Sequence, residues 1–223
     1  MHVCVEDRVD VLPGRTEDLF EALTDARPRL DALGVRLLGA FRTAGATGRW
    51  NEAFVYWEFD DMAHFGRVMS ACDGSGSLCD LADPGWTLRA GGSSVTMYAT
   101  AYCPTLAELR ERGVGGTVFL HEYIHPLPGK REEYVEHYVD NYLEATRRAG
   151  RELVGIWNLQ RSANDVLILL ALADWAAQAH AVAARPDAYA EAPWRVSAPR
   201  VRSDYDLRML VAGPPAVNPL RPR

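Results

Sequence analysis

Polar and apolar positions along this chain change period in a fixed order, and the order occurs twice. Val3, Val5, Val9 and Val11 alternate with Cys4, Glu6, Arg8 and Asp10, the period of two that marks a half-buried strand. Leu12-Pro13-Gly14 breaks the alternation. From Arg15 to Leu33 the apolar residues Leu19, Phe20, Leu23, Ala26 and Leu30 recur at helical spacing, which predicts an amphipathic helix ended by Gly34. Strands are predicted over 35–43 and 52–59, and a second helix over 61–70 behind Asp60 and Asp61. A Gly/Ser/Asp-rich loop over 72–94 then leads to a fourth strand over 95–102.

The second pass predicts a strand over 118–125, a helix over 130–149, strands over 152–159 and 165–172, a helix over 174–184 and a strand over 203–211. Leu12-Pro13-Gly14 falls on Leu127-Pro128-Gly129, Gly39-Ala40-Phe41 on Gly155-Ile156-Trp157, and Asp61 on Asp174. Each copy reads β-α-β-β-α-β, so the expected fold class is α+β, with two tandem ferredoxin-like repeats whose antiparallel sheets face each other. The expected division is a first repeat over 1–103, a connector over 104–116 with a short helix, and a second repeat over 117–223. The last of these ends in a Pro-rich tail, GPPAVNPLRPR, expected to be loose or draped.

Composition narrows the function classes. Net charge is −6 over 223 residues, which speaks against a nucleic-acid or anionic-membrane partner. The start turns charged at once and the longest apolar run is Val166 to Ala173, so neither a secretory signal nor a membrane span is expected and the cytoplasm is the expected location. Cys4, Cys72, Cys79 and Cys103 lack C-x-x-C spacing and are expected as free thiols.

Candidate chemistry concentrates between Leu120 and Gly150. His121-Glu122-Tyr123-Ile124-His125 spells H-E-x-x-H, which on a helix is a zinc signature. Here it follows Thr117-Val118-Phe119 and enters Pro126, a context that favours a strand and sets the two His about 13 Å apart. No metal site is therefore assigned. Asp7 and Glu122 interrupt the apolar faces of the first strands at matching positions, either as a desolvated general acid or base or as a salt-bridged structural acid. The inward helix stripe of the first copy is Leu19, Leu23, Ala26 and Leu30, whereas the second has Tyr134, Tyr138, Asn141 and Ala145, flanked by Tyr142 and His137. Buried hydroxyls and an amide need partners, so a polar-lined pocket is expected there; tyrosines at an interface with a solvated Asn141 are the alternative. His121, Tyr123 and His125 lie on the other strand face, towards the facing sheet. Trp157 is an aromatic wall or core.

The strand ending in Leu127-Pro128-Gly129-Lys130, the Gly155-Ile156-Trp157 strand and the Ala173-Asp174 helix entry resemble the NIPSNAP-like members of the dimeric α+β barrel superfamily. Their first-copy counterparts are Leu12-Pro13-Gly14-Arg15, Gly39-Ala40-Phe41 and Trp57-Glu58-Phe59-Asp60-Asp61. The resemblance spans both halves and implies that one chain supplies both halves of a barrel. Relatives there include cofactor-independent monooxygenases, cyclases and isomerases, haem-binding enzymes and proteins of no known activity. The resulting expectation is a cofactor-independent enzyme (isomerase, cyclase, lyase or monooxygenase) acting on an aromatic or polyketide-like secondary-metabolite intermediate. Glu122 and His137 would move protons, and Tyr134, Tyr138, Asn141, Trp157, His121 and Tyr123 would bind substrate. No cofactor is assigned, a small-molecule substrate is the expected partner, and homo-oligomerisation is left open. A non-catalytic ligand-binding or assembly protein is the alternative.

Overall fold

The computed structural model describes residues 1–45, 47, 49, 51–71, 85–183 and 193–222. Its eight strands are β1 (Val3–Val11), β2 (Arg36–Thr43), β3 (Glu52–Phe59), β4 (Arg89–Ala99), β5 (Val118–Pro126), β6 (Arg151–Leu159), β7 (Val166–Leu172) and β8 (Arg202–Ala212). All neighbours pair antiparallel. The first half contributes the order β4-β1-β3-β2 and the second β6-β7-β5-β8. The sheets do more than face each other. Phe41 to Thr43 of β2 pair with Leu210 to Ala212 of β8, and Met97 to Ala99 of β4 with Trp157 to Leu159 of β6, so the two sheets close into one eight-stranded barrel.

Three short motifs build each half. Pro13 and Pro128 are followed by Gly14 and Gly129 at φ +75° and +74°, and Arg15 N and Lys130 N bond back to Leu12 O and Leu127 O at 3.0 and 2.8 Å. Proline followed by a residue of positive φ is a turn that glycine enters without strain. It delivers the chain into α1 (Thr16–Ala32) and α4 (Arg131–Tyr138). Second, a Cβ on Gly39 would lie 2.6 Å from the Phe41 ring, and one on Gly155 2.1 Å from the Trp157 ring. Glycine therefore clears the strand face on which the aromatic two residues later folds back. Third, Asp61 Oδ1 accepts from His64 N and Asp174 Oδ1 from Ala177 N, at 2.7 and 2.8 Å, capping α2 (Met62–Ala71) and α6 (Trp175–Ala183).

Alternation along the strands sorts the core into three clusters. Val3, Val5 and Val9 pack under α1 with Leu19, Leu23 and Trp57, and Leu120 and Ile124 pack under α4 with Tyr134 and Tyr138. The opposite strand faces fill the barrel with Phe41, Tyr56, Phe119, Trp157 and Leu169. The second helix departs from the expected regular α-helix over 130–149. After α4 comes a π turn (Val139–Leu143) and then α5 (Glu144–Arg148).

β4 begins at Arg89 rather than within 95–102, because the Gly91-Gly92-Ser93-Ser94 stretch pairs with β1 although it lacks apolar alternation. A short helix α7 (Pro193–Ser197) covers the second half and was not expected. Helix α3 (Leu106–Glu111) lies between the halves, capped by Thr105 and Glu108. The tail is draped and pinned: Val217 and Asn218 are fully buried, and Asn218 Nδ2 donates to Ala40 O at 3.1 Å. Cys4 and Cys103 are free thiols; Cys72, Cys79 and the loop over 72–84 lie outside the described residues. No helix among the described residues is long and apolar enough to cross a membrane.

Candidate functional site

β5 carries His121-Glu122-Tyr123-Ile124-His125 in extended backbone, so successive side chains go to opposite faces of the barrel wall. His121 and His125 are four residues apart on a strand, not one helical turn apart. Glu122 faces outward, under the helices, and lines a cavity of about 330 Å³ with Tyr138, Tyr142, Arg151, Gln178, Trp194 and Arg202. The cavity is bounded by β5, the π turn, α6 and α7.

Strand register explains why a cavity forms here and not at the matching place in the first half. Asp7 is fully buried and sealed, with Trp57 Nε1 donating to it at 2.9 Å and the Ser94 hydroxyl donating as well. Trp57 stands opposite Val5, and Ser94 opposite Asp7. In the second half, Leu170 stands opposite Leu120 and Leu207 opposite Glu122. Both donors of the first half are thus replaced by leucines, and a large indole by a smaller side chain. Glu122 keeps only 7% of its surface exposed but faces open volume where Asp7 faces an indole.

The cavity wall is aromatic and cationic. Trp194 packs against the rings of Tyr134, Tyr138 and Tyr142 at centroid distances of 5.5, 5.4 and 5.2 Å. The Tyr134 and Tyr138 hydroxyls are buried, near Arg202 and Thr146 respectively, but neither makes a well-formed hydrogen bond. Burial first, and the negative Glu122 second, push both phenols well above their ordinary pKa. They are therefore neutral donors at neutral pH. Arg151 is only 6% exposed; Nη2 donates to Gln178 Oε1 at 3.1 Å and Nε has no partner. Among the described residues no carboxylate lies within 4.0 Å of it. A buried guanidinium N–H left without an acceptor is costly, and an anionic ligand group would relieve that cost.

The side chains singled out from the sequence are distributed over three places. Glu122 and Tyr138 meet in the cavity, with Tyr134 behind the Trp194 wall. The π turn corrects the expected stripe. It brings Tyr142 inward, to 8% exposure, and turns Asn141 aside, where its amide contacts His137 Nδ1 at 2.8 Å and donates to His137 O at 3.0 Å. His137 also bonds the Ser197 hydroxyl through Nε2 and lies 5.2 Å from the Trp194 ring. It does not line the cavity that holds Glu122. With both ring nitrogens engaged and outside that cavity, His137 is not placed as an axial ligand for a haem iron there. His121 and Tyr123 face the barrel interior, and Trp157 sits in the barrel core, stacked on Tyr56 at 6.0 Å. Sequence reasoning missed Arg151, Gln178, Trp194 and Arg202. Trp194 and Arg202 belong to, or follow, a helix that carries no periodic signal. Arg151 resembled an ordinary charge at the start of a strand.

No protein-family model and no curated protein matches this chain by sequence. Among solved structures, a candidate monooxygenase from Lactobacillus acidophilus superimposes with TM-score 0.65 at 11% identity, covering 95% of this chain and 93% of that one. A chlorite dismutase from Candidatus Nitrospira defluvii, an R173A mutant, gives TM-score 0.54 at 11% identity over 96% and 91%. A NIPSNAP domain protein from Burkholderia xenovorans covers 47% of this chain at TM-score 0.37 and 18% identity, too weak a likeness to support the narrower resemblance. These neighbours share the dimeric α+β barrel fold, and at such identities the likeness extends to fold alone.

Proposed function

We propose that the second-half cavity is the active site of a general acid/base enzyme acting on a small aromatic acid with an acidic C–H, as in aryl β-keto acids and related polyketide-like intermediates. The observation that carries this reading is the replacement of Trp57 and Ser94 by Leu170 and Leu207, which sets Glu122 beside about 330 Å³ of open volume instead of a sealed indole. The roles follow from the wall. Arg151 takes the substrate carboxylate, which satisfies its buried Nε. Trp194 and Tyr142 hold the ring. Glu122 accepts the proton from carbon, the electron pair moves onto the adjacent carbonyl oxygen, and the neutral Tyr138 hydroxyl donates to the oxyanion as it forms. Return of the proton to the same carbon gives exchange alone, return to a neighbouring carbon would give isomerisation, and attack by the carbanion on a second carbonyl of the substrate would give cyclisation. Candidate monooxygenases among the structural neighbours are compatible with the same first step, since a carbanion is the species that reacts onward.

Benzoylacetate combines the ring, the carboxylate and the acidic C–H, and its deuterium uptake from D2O can be followed by proton NMR. The protein should accelerate that uptake. Glu122→Gln keeps the shape and should lower the catalysed rate at least 100-fold while leaving binding within a few-fold; Arg151→Leu should instead weaken binding. Equal rates for wild type and Glu122→Gln would refute the assignment.

A further inference from the structure

The strand that presents Glu122 outward presents His121 and Tyr123 inward, at the open end of the barrel. A second cavity of about 460 Å³ lies there, lined by residues of both halves, Glu6, Arg8, Phe54, His121, Tyr123 and Arg161 among them. Glu6 and His121 occupy matching positions on β1 and β5, and they meet: His121 Nε2 lies 2.8 Å from Glu6 Oε2. The Tyr56 hydroxyl also donates to Glu6. All three are almost fully buried. Burial opposes charge on Glu6, but the His121 imidazole and the hydrogen bonds from His121 and Tyr56 prevail and hold its carboxyl below the usual range. An ionised carboxylate only accepts, so the Nε2 of His121 carries the proton.

The other ring nitrogen, Nδ1, is buried with no partner, although the side chain lines the cavity. Packing alone does not leave an imidazole nitrogen unsatisfied beside an open volume. The cations of the rim are unevenly matched. Arg8 and Arg208 share a single carboxylate, Glu52. Asp165 is engaged by His125 Nδ1 at 3.0 Å and by the Tyr123 hydroxyl at 3.1 Å. Asp206 also lines the rim. Arg161 donates to the Tyr123 hydroxyl at 3.1 Å, and among the described residues no carboxylate lies within 4.0 Å of it. Arg161 is exposed and lines the same cavity as Glu6 and His121. Phe54 and Tyr123 supply ring faces.

We propose that the barrel mouth is a second ligand site, separate from the helix-side cavity, for a small 2-hydroxy acid. The ligand hydroxyl, able to donate or accept, bonds His121 Nδ1, the carboxylate pairs with Arg161, and an apolar substituent lies against Phe54 and Tyr123. A hydroxyl and an anion on one small molecule suit the orphan nitrogen and the rim guanidinium together. Because the two cavities open on opposite faces of β5, the site stands or falls independently of the acid/base reading.

Mandelate, phenylacetate and 2-phenylethanol separate the two requirements, since the second lacks the hydroxyl and the third the carboxylate. Calorimetric titration of the full chain carrying Arg151→Leu, in which the helix-side cavity has lost its carboxylate partner, should show mandelate binding at least ten-fold tighter than either. Adding Arg161→Gln to that chain should lower the mandelate affinity at least ten-fold. With ¹⁵N-labelled histidine, mandelate should shift the His121 Nδ1 resonance. His121→Phe removes the acceptor but exposes Glu6 to unfolding, so the resonance shift and Arg161→Gln carry the test if that variant does not fold. Mandelate binding no tighter than phenylacetate, or leaving the His121 Nδ1 resonance in place, would overturn the proposal.

Discussion

Asp7 and Glu122 show how much a carboxylate's surroundings decide. Both interrupt an apolar strand face at the same point of the repeat, yet Asp7 is answered by an indole N–H and a hydroxyl while Glu122 borders a cavity with a buried arginine on its wall. Environment of this kind separates structural from reactive carboxylates. Asp7→Asn should be mild, since the amide oxygen still accepts from Trp57 and the Ser94 hydroxyl can rotate to accept from the amide nitrogen. Its melting temperature should stay within about 4 °C of wild type and benzoylacetate exchange within two-fold. Trp57→Phe deletes the indole N–H and leaves a buried acceptor short of a donor, at a cost of roughly 1–3 kcal/mol. Thermal unfolding and the exchange rate, measured on the same samples, check both. Loss of exchange in Asp7→Asn would move the chemistry to the first half.

At the scale of elements, the repeat was legible because its motifs are local. Leu-Pro-Gly is a turn with proline and a positive-φ glycine wherever it occurs, Gly-x-aromatic clears its own strand face, and aspartate caps a helix. What escaped depends on partners distant in sequence. The Gly91 to Ser94 stretch becomes strand only because β1 offers it backbone partners, and α7 finds its role only by laying Trp194 on three tyrosines. The π turn is a middle case. Tyr134, Tyr138 and Tyr142 are spaced by four, so on a regular helix each advances about 40° round the axis. A wider turn absorbs that drift and keeps all three facing the sheet. Helical wheel reasoning at fixed period therefore put Asn141 inside and Tyr142 on the flank.

The cavity is a property of one element pair, and refilling it is a direct check. Leu170→Trp restores in β7 the residue that β3 carries in the first half. Overpacking should cost roughly 1–3 kcal/mol, and benzoylacetate binding, followed by quenching of Trp194 fluorescence or by calorimetry, should fall at least ten-fold. Undiminished binding would mean that the ligand lies elsewhere.

The whole molecule is a pseudo-symmetric dimer in one chain, with a single closed barrel in place of two open sheets. Closure removes sheet edges that would otherwise template association. It also frees the halves to diverge, because each no longer has to serve both as its own partner and as a binding surface. The first half took the packed solution, with leucines on α1 and Trp57 over Asp7. The second took tyrosines, a buried arginine with an unsatisfied Nε, and an open volume. That asymmetry is the central claim, and a crystal structure of the protein with 3-phenylpropanoate, an unreactive aryl carboxylate, tests it most directly. The account predicts the ligand between the π turn and β5, its carboxylate on Arg151 and its ring against Trp194. A ligand under α1 beside Asp7, or a second-half cavity that stays without ligand at saturating concentration, would contradict it.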